Sequence, residues 1–195
     1  MIAIIDYGAG NIQSVINALD DLNADFIVTN NAKEINESEK IIFPGVGEAS
    51  SAMNNINSQN LTDIIQKCKK PFLGICLGMQ LLCDYSEEGN VKCLGIIPVA
   101  AKKFNSEKVK VPHMGWNKIF INNKSKLFDE IENETYFYFA NSFYVPANQF
   151  SIASCNYEIN FSAAVQKENF YGVQFHPEKS GVVGIKLLKN FIEKC

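Results

Sequence analysis

The sequence predicts an α/β fold: a doubly wound, mostly parallel central sheet, helices on both faces, and an additional antiparallel strand layer in the second half. Three observations predict it. In the first half, short apolar runs alternate with segments whose apolar residues recur at helical spacing. In the second half, strand-like runs follow one another with little helix between them. Between the halves, a cysteine flanked by glycines stands where a strand passes into a helix. A length of 195 residues suits one sizeable domain with a full core, expected to span 1–195.

The elements follow in order. Ile2-Ala3-Ile4-Ile5 is apolar on both faces, as a central strand is. A polar, glycine-rich turn follows, Asp6-Tyr7-Gly8-Ala9-Gly10-Asn11, and then Ile12, Val15, Ile16, Leu19 and Leu22 mark a helix. Phe26-Ile27-Val28 and Lys40-Ile41-Ile42-Phe43 read as strands, the second broken directly by Pro44-Gly45-Val46-Gly47. Helices are expected over 49–57 and 61–69. Phe72-Leu73-Gly74-Ile75 reads as a buried strand, and Met79-Gln80-Leu81-Leu82-Cys83 as the start of a helix with Cys83 on its apolar face. Strands are expected over 99–104, 115–121, 136–145, 151–157, 162–166 and 170–175. The closing helix, 181–194, carries Val183, Leu187, Leu188 and Phe191 on one side.

A hydrophobic share of 47% with 20% charged residues is that of an ordinary globular domain. The net charge of −3 and scattered Lys and Arg give no footprint for nucleic acid or for an anionic membrane. The opening apolar run ends after Ile5 with no basic stretch before it, so no signal peptide is expected, and no run is long enough to span a bilayer. The cysteines at 68, 76, 83, 93, 155 and 195 show no Cys-x-x-Cys spacing, so neither a zinc site nor a redox pair is expected. Reduced cysteines in a cytoplasmic protein are the expectation.

Gly74-Ile75-Cys76-Leu77-Gly78 is the cysteine form of a nucleophile elbow. Its glycines are expected to let the chain turn sharply and to keep neighbours off the sulfur, and the helix start behind it favours an anionic sulfur. Gln174-Phe175-His176-Pro177-Glu178 can supply a base and the group that orients it. Pro177 keeps its neighbour extended, and in an extended segment His176 and Glu178 share one side. The carboxylate could then hold one imidazole nitrogen and leave the other facing sulfur. Pro44-Gly45-Val46-Gly47 ends another strand at the same edge, where the N–H of Val46 could pair with that of Leu77 as an oxyanion hole. Gly8-Ala9-Gly10 lacks the third glycine of a dinucleotide fingerprint, Gln13 standing in its place, so it reads as a tight turn. His113-Met114-Gly115-Trp116 could be a plain buried corner.

Together these elements resemble the class I glutamine amidotransferases. The stretches Asp6 to Asn11, Val111-Pro112-His113-Met114-Gly115-Trp116-Asn117 and Gln174 to Ser180 narrow the resemblance to the glutaminase subunits of imidazole glycerol phosphate synthases. It implies that Cys76 attacks the side-chain amide of L-glutamine, that His176 protonates the departing ammonia, and that water then clears a thioester. It implies glutamine contacts from Gly45, Gly47, Gln80, Ser142 and Phe143. It implies a heterodimer whose other member is a (β/α)8 cyclase, with Asn11, Tyr138 and Lys179 at or near the contact. Ammonia would pass to the cyclase for imidazole glycerol phosphate and so for histidine synthesis, with no metal or organic cofactor on this chain. The family's glutaminase is typically weak until the partner binds its nucleotide, and Pro44 to Gly47 would be the part that moves.

The sequence departs from the family at Asn141-Ser142-Phe143, where His-Ser-Tyr or His-Thr-Tyr is usual, and at Ala49, where an aromatic is common. The departures leave room for a paralogous glutaminase that feeds a cyclase-like partner aminating a surface-glycan sugar. A catalytically silent binding protein on the same fold is the third reading, and the intact Cys76, His176 and Glu178 speak against it.

Overall fold

A computed structural model describes residues 1–8 and 11–195. Ala9 and Gly10, part of the expected glycine-rich turn, lie outside the described residues. Along the chain, β1 (Ile2–Ile5), α1 (Ile12–Asp21), β2 (Phe26–Thr29), α2 (Ala32–Glu37), β3 (Lys40–Gly45), α3 (Ala49–Ser58), α4 (Thr62–Gln66), β4 (Phe72–Cys76) and α5 (Leu77–Leu81) make the first half. There follow β5 (Cys83–Ser86), β6 (Val91–Lys92), β7 (Ile97–Lys103), β8 (His113–Ile121), β9 (Tyr136–Asn141), β10 (Phe143–Tyr144), β11 (Ser151–Tyr157), β12 (Ile159–Lys167), β13 (Phe170–Val173) and α6 (Gly181–Lys194).

The main sheet has the strand order β2-β1-β3-β4-β13-β12-β11-β8-β9. From β2 to β13 every neighbour is parallel, and from β13 to β9 every neighbour is antiparallel. The expected second-half layer is thus mainly an extension of the same sheet. A second sheet, β10-β7-β5-β6, lies apart from it. The apolar pattern divides between two faces. Val15, Leu19, Leu187, Leu188 and Phe191, from α1 and α6, are buried on one face with Ile4, Ile42 and Ile75. Ala52, Met53, Ile56, Ile65 and Met79, from α3, α4 and α5, are buried on the other with Ile5, Ile41 and Phe43. Helices on both faces follow from strands that are apolar on both sides.

Several local expectations shift. β3 does not stop at Phe43 but carries Pro44 and Gly45 into the ladder, Gly45 pairing with Cys76. A parallel neighbour on one side and a chain leaving the sheet on the other tolerate the missing Pro44 N–H. The helix starting at Leu77 ends at Leu81, and Cys83 lies in β5, buried among strands rather than on a helical face. The expected strand 136–145 divides after Asn141: β10 leaves the main sheet and pairs with β7. The small helix α2 was not marked by periodicity. It is fixed by its cap, the Asn31 side chain accepting from the N–H groups of Lys33 and Glu34.

Candidate active site

Cys76 ends β4 with φ 54° and ψ −110°. A non-glycine residue there is strained. The strain sits on the cysteine itself, whereas Gly74 and Gly78 have another task. A β-carbon on Gly74 would stand 2.8 Å from the Gly78 backbone, and one on Gly78 only 2.0 Å from the Phe43 carbonyl oxygen. Across the sheet, one on Gly172 would meet the Met79 side chain at 2.7 Å. The glycines therefore let α5 lie directly on β3, β4 and β13, which brings its first N–H groups beside the sulfur. This corrects the expectation that they make the turn.

His176 follows β13 in extended conformation, φ −101° and ψ 96°. Pro177–Lys179 then form one 3-10 turn, and that turn, not strand alternation, brings Glu178 back to the ring. His176 Nδ1 stands 2.7 Å from Glu178 Oε1, with both side chains buried. Burial is the largest influence on the imidazole and disfavours its charge. The hydrogen bonds and charges of Cys76 and Glu178 outweigh it and raise the ring from 6.5 to about 10. The three sequence-predicted residues are therefore together, the ring lying between the sulfur and the carboxylate. Glu178 Oε2 has no partner among the described residues.

The sulfur opens into a cavity of about 180 Å³, lined by Val46, Gly47, Leu77, Gln80, Glu88, Met114, Ala140, Asn141, Ser142 and Phe143 among others. Of the residues singled out in the sequence, Val46, Leu77, Gly47, Gln80, Ser142 and Phe143 thus line the cavity. Gly45 is not on the wall. It packs beneath, where a β-carbon would stand 2.5 Å from the Tyr7 hydroxyl and 2.8 Å from the Gly78 nitrogen. Gly47, at φ 99°, has open space around it. The unpacked part of the Pro44 to Gly47 stretch therefore begins at Val46.

Gln80 has both its N–H bonds committed, to the Phe143 carbonyl and to Gln174 Oε1, each at 3.0 Å. What it can offer a ligand is its side-chain oxygen. Asn141 Nδ2 donates to the same Phe143 carbonyl at 2.8 Å, so the departing Asn-Ser-Phe stretch is held by its own side chain. Asn141 Oδ1 is buried without a partner among the described residues. Sequence reasoning missed Glu88. It accepts from the Ala49 N–H at the start of α3, at 3.0 Å. Burial holds its carboxyl above the usual carboxylate range, the Ala49 hydrogen bond opposes this, and Glu48 adds to it.

His113 is packed among aromatic rings. It is stacked on Tyr157 at 4.0 Å and on Phe139 at 4.9 Å, and burial pushes its ring down to about 4. Trp116 is not buried as a corner would be. It is 55% exposed, beside Met114 at 65% and Tyr136 at 51%. Tyr138 stands edge-on to Trp116 at 6.1 Å. Its backbone carbonyl accepts from the His176 N–H at 2.8 Å. Lys179 and Asn11 are exposed.

The fold and this constellation agree with the family model for class-I glutamine amidotransferases, which matches residues 3–195. The chain belongs to that family. Among curated relatives of this glutamine amidotransferase is "Imidazole glycerol phosphate synthase subunit HisH" of Bacteroides thetaiotaomicron, 47% identical with 98% of each chain covered. The Haemophilus influenzae protein of that name is 47% identical, covering 99% of this chain and 97% of the relative. That of Buchnera aphidicola is 45% identical, covering 98% of each. Among solved structures, a glutamine amidotransferase overlays with TM-score 0.76 at 15% identity, covering 99% of this chain and 98% of that one. A chain of PurLQS from Thermotoga maritima overlays at 0.71 with 19% identity, covering 98% and 96%. Among the described residues of this amidotransferase, no cluster of His, Cys, Asp and Glu is arranged to hold a metal, and no helix is long and apolar enough to cross a membrane.

Proposed function

We propose that this chain is the glutaminase subunit of an imidazole glycerol phosphate synthase. It releases ammonia from L-glutamine for a (β/α)8 cyclase partner in histidine biosynthesis. The observation that carries the reading is the Cys76–His176–Glu178 constellation at the floor of a cavity sized for one small amino acid.

The sulfur of Cys76 attacks the amide carbon of the glutamine side chain. The oxygen gains charge, which the N–H groups of Val46 and Leu77 receive. His176, cationic between sulfur and Glu178, gives its proton to the leaving nitrogen, and a thioester remains. The ring, now neutral, takes a proton from water, the hydroxide opens the thioester, and glutamate leaves. Glu178 keeps the ring oriented through both steps. Gly47, Ser142 and Phe143 border the substrate, with Gly45 holding the wall from beneath. The Glu88 carboxylate and Gln80 Oε1, both on the cavity wall, would receive the α-ammonium, whose arrival would stabilise the charge that burial disfavours on Glu88.

The partner would dock on the exposed face of β8 and β9, where Met114 and Trp116 stand beside Tyr138, with Lys179 and Asn11 near. A docked surface keeps ammonia out of water, where it is mostly protonated and no longer nucleophilic. The test has two parts. Cys76→Ala in the presence of the cyclase should abolish glutamate release; undiminished release removes Cys76 from the mechanism. Expression in a strain lacking its histidine-pathway glutaminase should restore growth without histidine. Rescue of a sugar-modification defect instead would assign the chain to the glycan-directed paralogues.

A further inference from the structure

Gln174 has no role in the mechanism above, yet it is one of the most deeply buried polar side chains in the molecule. Its backbone N–H donates to Ala163 at 2.8 Å, which carries the β12–β13 ladder one residue past the strand. Its side chain, fully buried, lies under α5 next to the elbow. Nε2 points at the Cys76 sulfur at 3.7 Å. Oε1 accepts from Gln80, itself 3% exposed. Gln80 in turn donates to the Phe143 carbonyl on the cavity wall.

A buried amide must have partners, and an amide satisfied only for its own sake would meet carbonyl oxygens. Here one N–H faces sulfur, which otherwise meets the His176 ring, the buried Tyr7 hydroxyl and, at 3.9 Å, the Ala140 carbonyl oxygen that disfavours charge on it. A neutral thiol is a weak acceptor, whereas an anionic sulfur is a strong one, so this donor favours the charged form. At so buried a position no solvent competes for the donor, which strengthens the effect. Gln80 fixes which end of the Gln174 amide faces the sulfur, because its own N–H demands the oxygen end.

We propose that Gln174 is a positioning residue for the nucleophile: held by Gln80, its buried amide N–H fixes the Cys76 sulfur at the elbow and favours its anionic state. The chain of bonds continues to Phe143, so the cavity wall and the sulfur are joined through two glutamines. The proposal rests on the reading of Cys76 as nucleophile.

The test is the pH dependence of Cys76 alkylation by iodoacetamide in the full chain, followed peptide by peptide by mass spectrometry so that the other cysteines are read separately. Gln174→Met removes the donor. Gln174→Glu keeps the size and the oxygen that Gln80 needs but replaces the donor with an acceptor, and it carries the test if the methionine variant does not fold. Both should move the onset of alkylation upward by about one pH unit, a roughly tenfold loss of rate below the native onset. With the partner present, kcat should fall and KM should change little. An onset that stays at the native pH in a folded variant overturns the proposal. A Cys76→Ser protein that still released glutamate would instead sink the nucleophile reading, and the alkylation profile would still report on Gln174.

Discussion

The Cα of Gly78 faces the carbonyl oxygen of Phe43 so closely that an added β-carbon would stand 2.0 Å from it. Neither backbone can move away without breaking the β3–β4 ladder or lifting α5 from the sheet. Gly78→Ala is therefore expected to destabilise the protein by about 1–3 kcal/mol or more, as overpacking does. It should also cost glutaminase activity beyond that, because the N–H of Leu77 shifts with the helix. Urea unfolding and glutamate release measure the two effects, and an unchanged midpoint would show that the contact is not tight.

The positive φ of Cys76 makes a prediction of opposite sign to habit. At ordinary positions Gly→Ala stabilises by about 0.4–1 kcal/mol. At 76 the strain of a side chain is of order 1–3 kcal/mol, so Cys76→Gly should unfold at higher temperature than Cys76→Ala. Both lack the sulfur, so calorimetry alone decides. A more stable alanine variant would mean that the elbow is relaxed.

The raised imidazole sets a pH window. A group whose folded value lies above its unfolded one binds more protons in the native state, so its stabilisation fades as pH rises. For His176 that contribution is full below about pH 6.5 and is lost on the way to about 10. Glu178→Gln removes one of the two partners that raise the ring, so its decline should start from the same pH, end at lower pH and be smaller. Melting temperatures at pH 6, 8 and 9.5 compare the two proteins. Parallel curves would show that Glu178 does not hold the charge.

Tyr7 offers a test of an orphan. Its hydroxyl is buried, has no hydrogen-bond partner among the described residues, and is held above the ordinary tyrosine range by burial, with Cys76 and Asp6 adding to it. Burying an unpaired hydroxyl costs about 1–3 kcal/mol. Tyr7→Phe should therefore match or exceed the native protein in thermal stability. A clear loss would mean that the hydroxyl has a partner in the working enzyme.

The sequence carried the elbow, the His-x-Glu pair and the strand–helix alternation because each is written in adjacent residues. Cys76, His176 and Glu178 could be singled out on local pattern, and Val46 and Leu77 on their places at strand ends. What escaped depends on approach between distant segments. Glu88 reaches the cavity only because β5 and the turn after it fold against the start of α3. Gln174 matters only because α5 lies low enough on three glycines for Gln80 to reach it. The break after Asn141 was invisible because Phe143 and Tyr144 are good strand residues in either sheet, and only β7 decides which one they join. Trp116 could be read as a buried corner because an aromatic in an alternating run looks the same facing a core or facing a surface.

The backbone at position 76 also says something about descent. A chain under selection for endurance alone would surrender its sulfur there, since glycine sits in that geometry at ease. A copy of this protein that had ceased to split glutamine would thus be drawn toward glycine, and its folding would improve as its chemistry vanished. Cysteine in so uncomfortable a corner holds its place at a cost in folding that glycine would not carry.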